Sequence, residues 1–204
     1  MPKDVKCFNP RSLRCALLML AVVLSPLAWA HTGNTDVGGF ISGFSHPVFG
    51  YDHLLAMLAV GMWGAFLGTP AIWMLPVAFP LIMSIGAVFG ILGLPLPGVE
   101  WGIALSVIAL GAAIALAARP PLAAAVLLVS VFAIFHGFAH GQELPEGSSP
   151  FSYAAGFVLA TGLIHILGIV IGLVVRLPHG ATALRAGGVA VAAAGCYFGL
   201  QLAI

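Results

Sequence analysis

The chain has 204 residues, of which 61% are hydrophobic and only 6% are charged, and its mean hydropathy is +1.14. Soluble domains carry about 25% charged residues, so this composition excludes an ordinary soluble protein. Seven Lys and Arg oppose six Asp and Glu, and no basic run follows the N-terminal segment, so the footprint of a nucleic-acid-binding protein is missing. The three cysteines form no CxxC motif, which sets aside cysteine-based metal or redox sites. We therefore predict an all-α, polytopic membrane protein in contact with the lipid bilayer.

The first thirty residues have the pattern of a signal peptide. Four basic residues precede an apolar stretch at 16–24, and Ala28-Trp29-Ala30 has the small-x-small form of a signal peptidase site. Cleavage after Ala30 would leave His31 at the N-terminus, where its imidazole and the free α-amine offer a metal contact. The alternative is an uncleaved first transmembrane helix, although this apolar stretch is short for a span of about 20 residues. In both cases the chain that follows begins outside the cytoplasm.

Breaks in the apolar pattern of residues 31–204 predict six transmembrane helices. No charged residue occurs from Leu54 to Val99, a length that fits two spans joined by a turn at Gly68-Thr69-Pro70. The following breaks separate four more spans in the same way. The predicted spans are 51–68, 71–93, 101–118, 122–141, 151–175 and 183–202.

The positions of the charged residues agree with this count. If residue 31 lies outside, the segments that contain Arg119, Arg176 and Arg185 fall in the cytoplasm, whereas Glu100 and Glu143 fall outside. Cytoplasmic loops are enriched in Lys and Arg, so this arrangement satisfies the positive-inside rule. Both ends of the mature chain are then predicted to lie outside the cytoplasm.

A first polar cluster opens the first predicted span at its outer end. It contains His46, Asp52 and His53. A regular helix would separate His46 from His53 by about 10.5 Å along its axis, which is too far for two ligands of one ion. Either the two histidines serve successive sites, or the chain breaks at Pro47 or Gly50.

A second polar cluster closes the fourth predicted span. The i,i+4 spacing places His136 and His140 on one helix face, which Glu143 extends if the helix continues. Imidazole nitrogens combined with carboxylate oxygens suit divalent ions such as nickel, cobalt, copper and zinc. Met57, one turn deeper than the first cluster, adds a soft contact. The predicted metal ligands are His46, Asp52, His53, Met57, His136, His140 and Glu143.

His165 differs because it lies well inside the fifth predicted span, after Thr161. It is either a second binding position on a metal path or a histidine that hydrogen-bonds a neighbouring helix. His179 is predicted to lie on the surface of a cytoplasmic turn. Trp63 and Tyr153 fit the aromatic belts of a membrane protein.

Three strings of the sequence resemble the HupE/UreJ family: residues 46–63, 136–143 and 156–165. The resemblance covers the whole mature chain, and the first string is long and specific. Members are bacterial envelope proteins associated with hydrogenase or urease operons and regarded as nickel or cobalt permeases. The motif elements match at His46, Asp52, His53, His136, His140, Glu143 and His165.

The resemblance implies a multi-pass permease of the bacterial inner membrane, with periplasmic termini. Ni²⁺ or Co²⁺ would be the transported substrate, and we expect no permanently bound cofactor. The sequence contains no Gly-x4-Gly-Lys-Ser/Thr loop, so it does not hydrolyse ATP by that device, and we expect no enzyme activity. The alternatives are a non-transporting accessory protein for metalloenzyme assembly and a haem-binding protein with histidine axial ligands. A homo-oligomer is compatible with each of these.

Overall fold

A computed structural model describes residues 35–144 and 148–204 of the chain. In those residues the backbone forms seven α-helices and a short 3₁₀ turn, Leu173–Arg176, without any strand. The predicted all-α class is thereby confirmed. The predicted signal peptide, residues 1–30, and His31 lie outside the described residues. The helices are α1 (Thr35–Phe49), α2 (Tyr51–Leu67), α3 (Ala71–Ile91), α4 (Val99–Ala115), α5 (Leu122–Gln142), α6 (Pro150–Gly172) and α7 (Gly180–Gln201).

Helices α2 to α7 coincide with the six predicted spans to within a few residues, but they differ in length. Four helices are long and apolar enough to cross a membrane: α3, α5, α7, and α6 together with the 3₁₀ turn that continues it. Helices α1 and α2 meet at an angle of 77° and qualify as a fifth span only as a bent pair. Helix α4 is apolar but has 17 residues. The chain is therefore a multi-pass membrane protein with four to five candidate spans, and the count of six stays a prediction.

Helix α1 was not predicted from the sequence. Its 15 residues include three glycines and a proline, and both residue types are poor helix formers. The helix packs along α6, and Gly43 and Gly156 lie at the crossing. A Cβ on Gly43 would collide with the backbone of Tyr153, and a Cβ on Gly156 would collide with that of Phe40. Close tertiary packing therefore accounts for a helix that local propensity does not indicate.

The other helices pack in pairs through small residues in the same way. Helix α3 lies along α5, and helix α4 lies along α7. A Cβ on Gly86 would strike the backbone of Ile134, and a Cβ on Gly137 would strike that of Met83. Glycine at these positions therefore allows the two helices to pack closely, as small residues do in membranes.

Helix α2 lies at the centre of the fold. It contacts α1, α3, α4, α6 and α7, and its residues from Ala56 to Phe66 are almost all buried. The indole N–H of Trp63 donates to the carbonyl of Ala118 at 3.2 Å, so this tryptophan is an interior residue and the predicted belt position is wrong. Because α2 is enclosed by other helices, His53 near its beginning is buried among neighbouring protein.

Candidate metal site

A break in the chain brings the residues of the first polar cluster together. Helix α1 continues through Pro47 to Phe49, and Gly50 then adopts an extended conformation, with φ −79° and ψ 96°, before α2 begins. Because the two helices meet at 77°, the ring centroids of His46 and His53 are 6.4 Å apart. Of the two alternatives that the sequence left open, the structure therefore shows the break at Gly50.

Four histidines from three helices form one continuous cluster at this end of the fold. The ring of His140 in α5 lies 4.8 Å from that of His46 in α1 and 4.3 Å from that of His53 in α2. The His53 ring lies 4.6 Å from that of His136, one turn deeper in α5. The side chain of His46 is 31% exposed, whereas His136 is completely buried. The cluster thus leads from the surface into the interior.

The outer part of the cluster offers three donors of mixed chemistry. Helix α5 ends at Gln142, and the backbone N–H of Glu143 donates to the carbonyl of Ala139. Oε2 of Glu143 lies 2.9 Å from Nε2 of His46 and 3.8 Å from Nδ1 of His140. One donor atom from each of the three residues lies within 4.8 Å of the others. Donors about 2.1 Å from a common ion lie about 3 to 4 Å apart, so this group comes close to the spacing of a ligand set.

Glu143 remains a carboxylate in this arrangement. The hydrogen bond from His46 holds the pKa of Glu143 below its ordinary value, against the opposing effect of partial burial. A negative charge at the half-exposed end of the cluster attracts a cation from solution. The outer group therefore combines attraction for cations with nitrogen ligands that prefer transition metals.

Asp52 contacts His53 directly. Its Oδ1 accepts hydrogen bonds from the ring Nδ1 and from the backbone N–H of His53, both at 2.8 Å. A carboxylate only accepts hydrogen bonds, so Nδ1 of His53 carries the proton and Nε2 is left with a lone pair. That Nε2 is buried without a hydrogen-bond partner in the described part of the chain. This is the arrangement in which a carboxylate orients a histidine for metal binding through its other nitrogen.

His136 is held by a residue that the sequence analysis did not single out. Nε2 of His136 lies 2.8 Å from the hydroxyl oxygen of Ser106, which in turn lies 2.6 Å from the carbonyl oxygen of Ile103. Ser106 is the only hydroxyl-bearing residue of α4, and a lone hydroxyl within an apolar span was the available signal. Ser106 lies on α4 and His136 lies on α5. The sequence does not show which helices pack together, so it did not predict this contact.

The remaining predicted contacts lie deeper. Met57 is fully buried in the apolar core, four residues after His53. His165 is 1% exposed, and neither of its ring nitrogens has a hydrogen-bond partner among the described residues. The ring of Phe79 lies beside both His165 and His136, with its centroid 5.6 Å from that of His165 and 5.5 Å from that of His136. The structure thus joins six of the predicted ligands in one cluster and leaves Met57 and His165 below it.

Two aromatic side chains of α6 complete the wall of the cluster. The ring centroid of Phe157 lies 4.3 Å from that of His140, and that of Tyr153 lies 6.5 Å from that of His46. Tyr153 is 6% exposed, so its predicted position in an aromatic belt is wrong. The sequence did not reveal this because α1, which covers Tyr153, was not predicted.

Comparisons with known proteins agree with the resemblance in the motifs. The family model described as HupE / UreJ protein matches residues 18–198. A curated relative, Protein HupE of Rhizobium leguminosarum bv. viciae, is 42% identical over 177 residues, which cover 87% of this chain and 92% of the relative. No solved structure matches the chain.

Proposed function

The chain belongs to the HupE / UreJ family, and on that premise we propose that it is a permease for a divalent transition metal ion. Nickel is the first candidate for the substrate and cobalt the second. The permease would lie in the bacterial inner membrane and supply metal for the maturation of an enzyme such as a hydrogenase or urease. Its substrate ion passes through the protein and is not a resident cofactor.

The observation that carries this proposal is the histidine cluster that leads from the surface to the interior. Buried polar atoms without a partner cost about 1 to 3 kcal/mol each, and the described residues leave one ring nitrogen of His53, one of His136 and both of His140 in that state. Ionisable residues inside membrane domains are by default functional. Each neutral imidazole has one nitrogen with a lone pair, and a cation that binds it provides the missing partner.

The order of the ligands suggests how an ion would move. Glu143 and His46, which are partly exposed, would attract the hydrated ion and replace part of its water shell. His140 contacts both His46 and His53, so it can pass the ion from the outer group to the buried pair. Phe79 and His165 then lie on the way inward. Because each transfer replaces one ligand at a time, no step requires a fully dehydrated ion.

The membrane potential is sufficient to drive this movement. One elementary charge that crosses 100 mV gains about 2.3 kcal/mol, so a dication that enters a negative interior gains about 4.6 kcal/mol. This corresponds to accumulation of about a thousandfold. Uptake therefore needs no coupled proton, and the affinity of the site must be modest enough to allow release.

The charges support an orientation with the cluster on the periplasmic side. His53 lies in the first turn of α2, whereas the Arg119 guanidinium stacks on Phe66 near the other end of α2, 4.4 Å from the ring centroid. The 13 residue steps from His53 to Phe66 correspond to about 20 Å along the helix axis. Under the positive-inside rule the arginine end faces the cytoplasm. We expect a reporter fused after Ile204 to be periplasmic, and a cytoplasmic reporter would contradict this orientation and the six-span count.

The decisive experiment is metal uptake by proteoliposomes that contain the purified full chain. With an inside-negative potential, we expect accumulation of Ni²⁺ that cobalt inhibits more strongly than Mg²⁺ does. Liposomes with the His140→Ala protein serve as the matched control, because this variant lacks the residue that joins the outer and inner groups. Equal uptake by both preparations would refute the proposed path. An absorbance spectrum of the same preparation tests for haem.

A further inference from the structure

The hydrogen bonds around Ser106 determine which nitrogen of His136 carries the proton. The hydroxyl oxygen of Ser106 lies 2.6 Å from the carbonyl oxygen of Ile103. A carbonyl has no proton to give, so two oxygens at this distance require that the single hydroxyl proton lies between them. Ser106 therefore donates to Ile103 and has only lone pairs left for His136.

The second contact of Ser106 must then run in the opposite direction. Nε2 of His136 lies 2.8 Å from the same hydroxyl oxygen, and since that oxygen can only accept here, Nε2 is the protonated nitrogen. The other ring nitrogen, Nδ1, is left with its lone pair. It is buried and has no hydrogen-bond partner within residues 35–144 and 148–204. His136 itself is 0% exposed, so bulk water does not compensate for the missing partner.

His53 is held in the complementary way by Asp52. The carboxylate accepts the Nδ1 proton of His53 at 2.8 Å, so in this ring the buried lone pair belongs to Nε2. The rings of His53 and His136 lie 4.6 Å apart and nearly perpendicular, at 87°. His140, 4.3 Å from His53, is the third imidazole of this inner group.

We propose that Ser106 is a positioning residue of the metal path, which fixes the Nε2–H tautomer of His136 so that Nδ1 is the atom that binds the ion. This inference deepens the proposed function and rests on it. With the Asp52 carboxylate already engaged by His53, the inner group of His53, His136 and His140 consists of imidazole nitrogens alone. The outer group, in contrast, contains the carboxylate of Glu143.

The difference between the two groups gives the inner one a role in selectivity. Magnesium and calcium prefer oxygen ligands, whereas nickel and cobalt bind imidazole well. A hard cation attracted by Glu143 would have to exchange oxygen ligands for nitrogen at the inner group and would be rejected there. Ser106 contributes to this selectivity because the Nδ1–H tautomer of His136 would present an N–H group to the ion in place of a lone pair.

The first test measures the tautomer in the metal-free full chain. Nitrogen-15 NMR of the histidine-labelled protein in nanodiscs distinguishes the two tautomers, and the His136→Gln variant identifies the signal of His136. We expect the Nε2–H pattern in the wild type and in Ser106→Thr, which keeps the hydroxyl, and a mixture of both tautomers in Ser106→Ala. An Nδ1–H pattern in the wild type would overturn the proposal without the need for any variant.

The second test measures Ni²⁺ affinity by calorimetry on the same preparations. Loss of a residue that orients a ligand typically weakens metal binding 10- to 100-fold, so we expect a loss of at least tenfold for Ser106→Ala and recovery in Ser106→Thr. The control is Ser84→Ala, since within the described part of the chain the Ser84 hydroxyl bonds only to the carbonyl of Pro80 in its own helix. Affinity equal to the wild type in Ser106→Ala would refute the positioning role. If the wild type bound no Ni²⁺, the proposed function would fail instead, and the tautomer would still be measurable.

Discussion

Removal of the Asp52 carboxylate tests how the buried end of the site is organised. In the structure, the ring Nδ1 and the backbone N–H of His53 both donate to Oδ1 of Asp52 at 2.8 Å, and we propose that Asp52 acts through His53. If so, Asp52→Asn and Asp52→Ala must differ. The asparagine amide oxygen still accepts the hydrogen bond from Nδ1–H and so keeps the tautomer of His53. With alanine, the ring proton of His53 is free to move between Nδ1 and Nε2.

The magnitudes follow from the type of hydrogen bond that is lost. Bonds to charged groups contribute about 1.5 to 3 kcal/mol, and neutral ones about 0.5 to 1.5 kcal/mol. The Asp52 side chain is 30% exposed, so solvent screening favours the lower half of the first range. Asp52→Asn should therefore cost about 1 kcal/mol, or roughly fivefold in Ni²⁺ affinity, and Asp52→Ala about 2 kcal/mol, or roughly thirtyfold.

The assay is calorimetric titration of the purified full chain with Ni²⁺, followed by uptake in proteoliposomes. Glu100→Gln is the matched control, because Glu100 is an exposed carboxyl in the first turn of α4 and should leave the affinity unchanged. Equal losses in Asp52→Asn and Asp52→Ala would show that Asp52 acts through its charge or as a ligand and not through His53. An unchanged affinity in Asp52→Ala would refute the role of Asp52 altogether.

Three further predictions concern the ligands, the helix packing and the effect of pH. His136→Ala should abolish Ni²⁺ uptake in proteoliposomes while the protein stays in the membrane, whereas His179→Ala, in the turn before α7, should transport normally; equal rates would contradict the inner site. Gly137→Ala should lower the unfolding temperature, at a cost of about 1 to 3 kcal/mol, because its Cβ would collide with the backbone of α3, while Gly162→Ala has free space and should be neutral. Because the pKa of Glu143 is lowered in the folded chain, its contribution to stability is complete above its ordinary value of 4.5 and is lost as pH falls through the lowered pKa. Thermal unfolding of Glu143→Gln should lack this part of the acid dependence, and an identical pH profile of the two proteins would disprove the His46 contact.

The sequence determined the class of the protein and the residues of its candidate site. Apolar runs of about 20 residues predict membrane-spanning helices, in which the backbone polar groups bond to each other and need no water. The i,i+4 spacing of His136 and His140 fixes their common face, because helix geometry relates residues that are close in sequence. Polar residues are also so rare in this chain that the ligand candidates are conspicuous. Local rules of this kind depend only on neighbouring residues, so a single sequence is enough to apply them.

Only the tertiary structure decided how the helices and their polar residues meet. Local rules allowed a break at either Pro47 or Gly50, and the packing of α1 along α6 through Gly43 accompanies the break at Gly50. That bend places His46 beside His140, almost a hundred residues away in the chain. The contact between Ser106 and His136 arises in the same way, because it depends on the positions of α4 and α5 relative to each other. Which helix faces meet is set by close packing between backbones that are distant in sequence, and no periodicity within one helix encodes it.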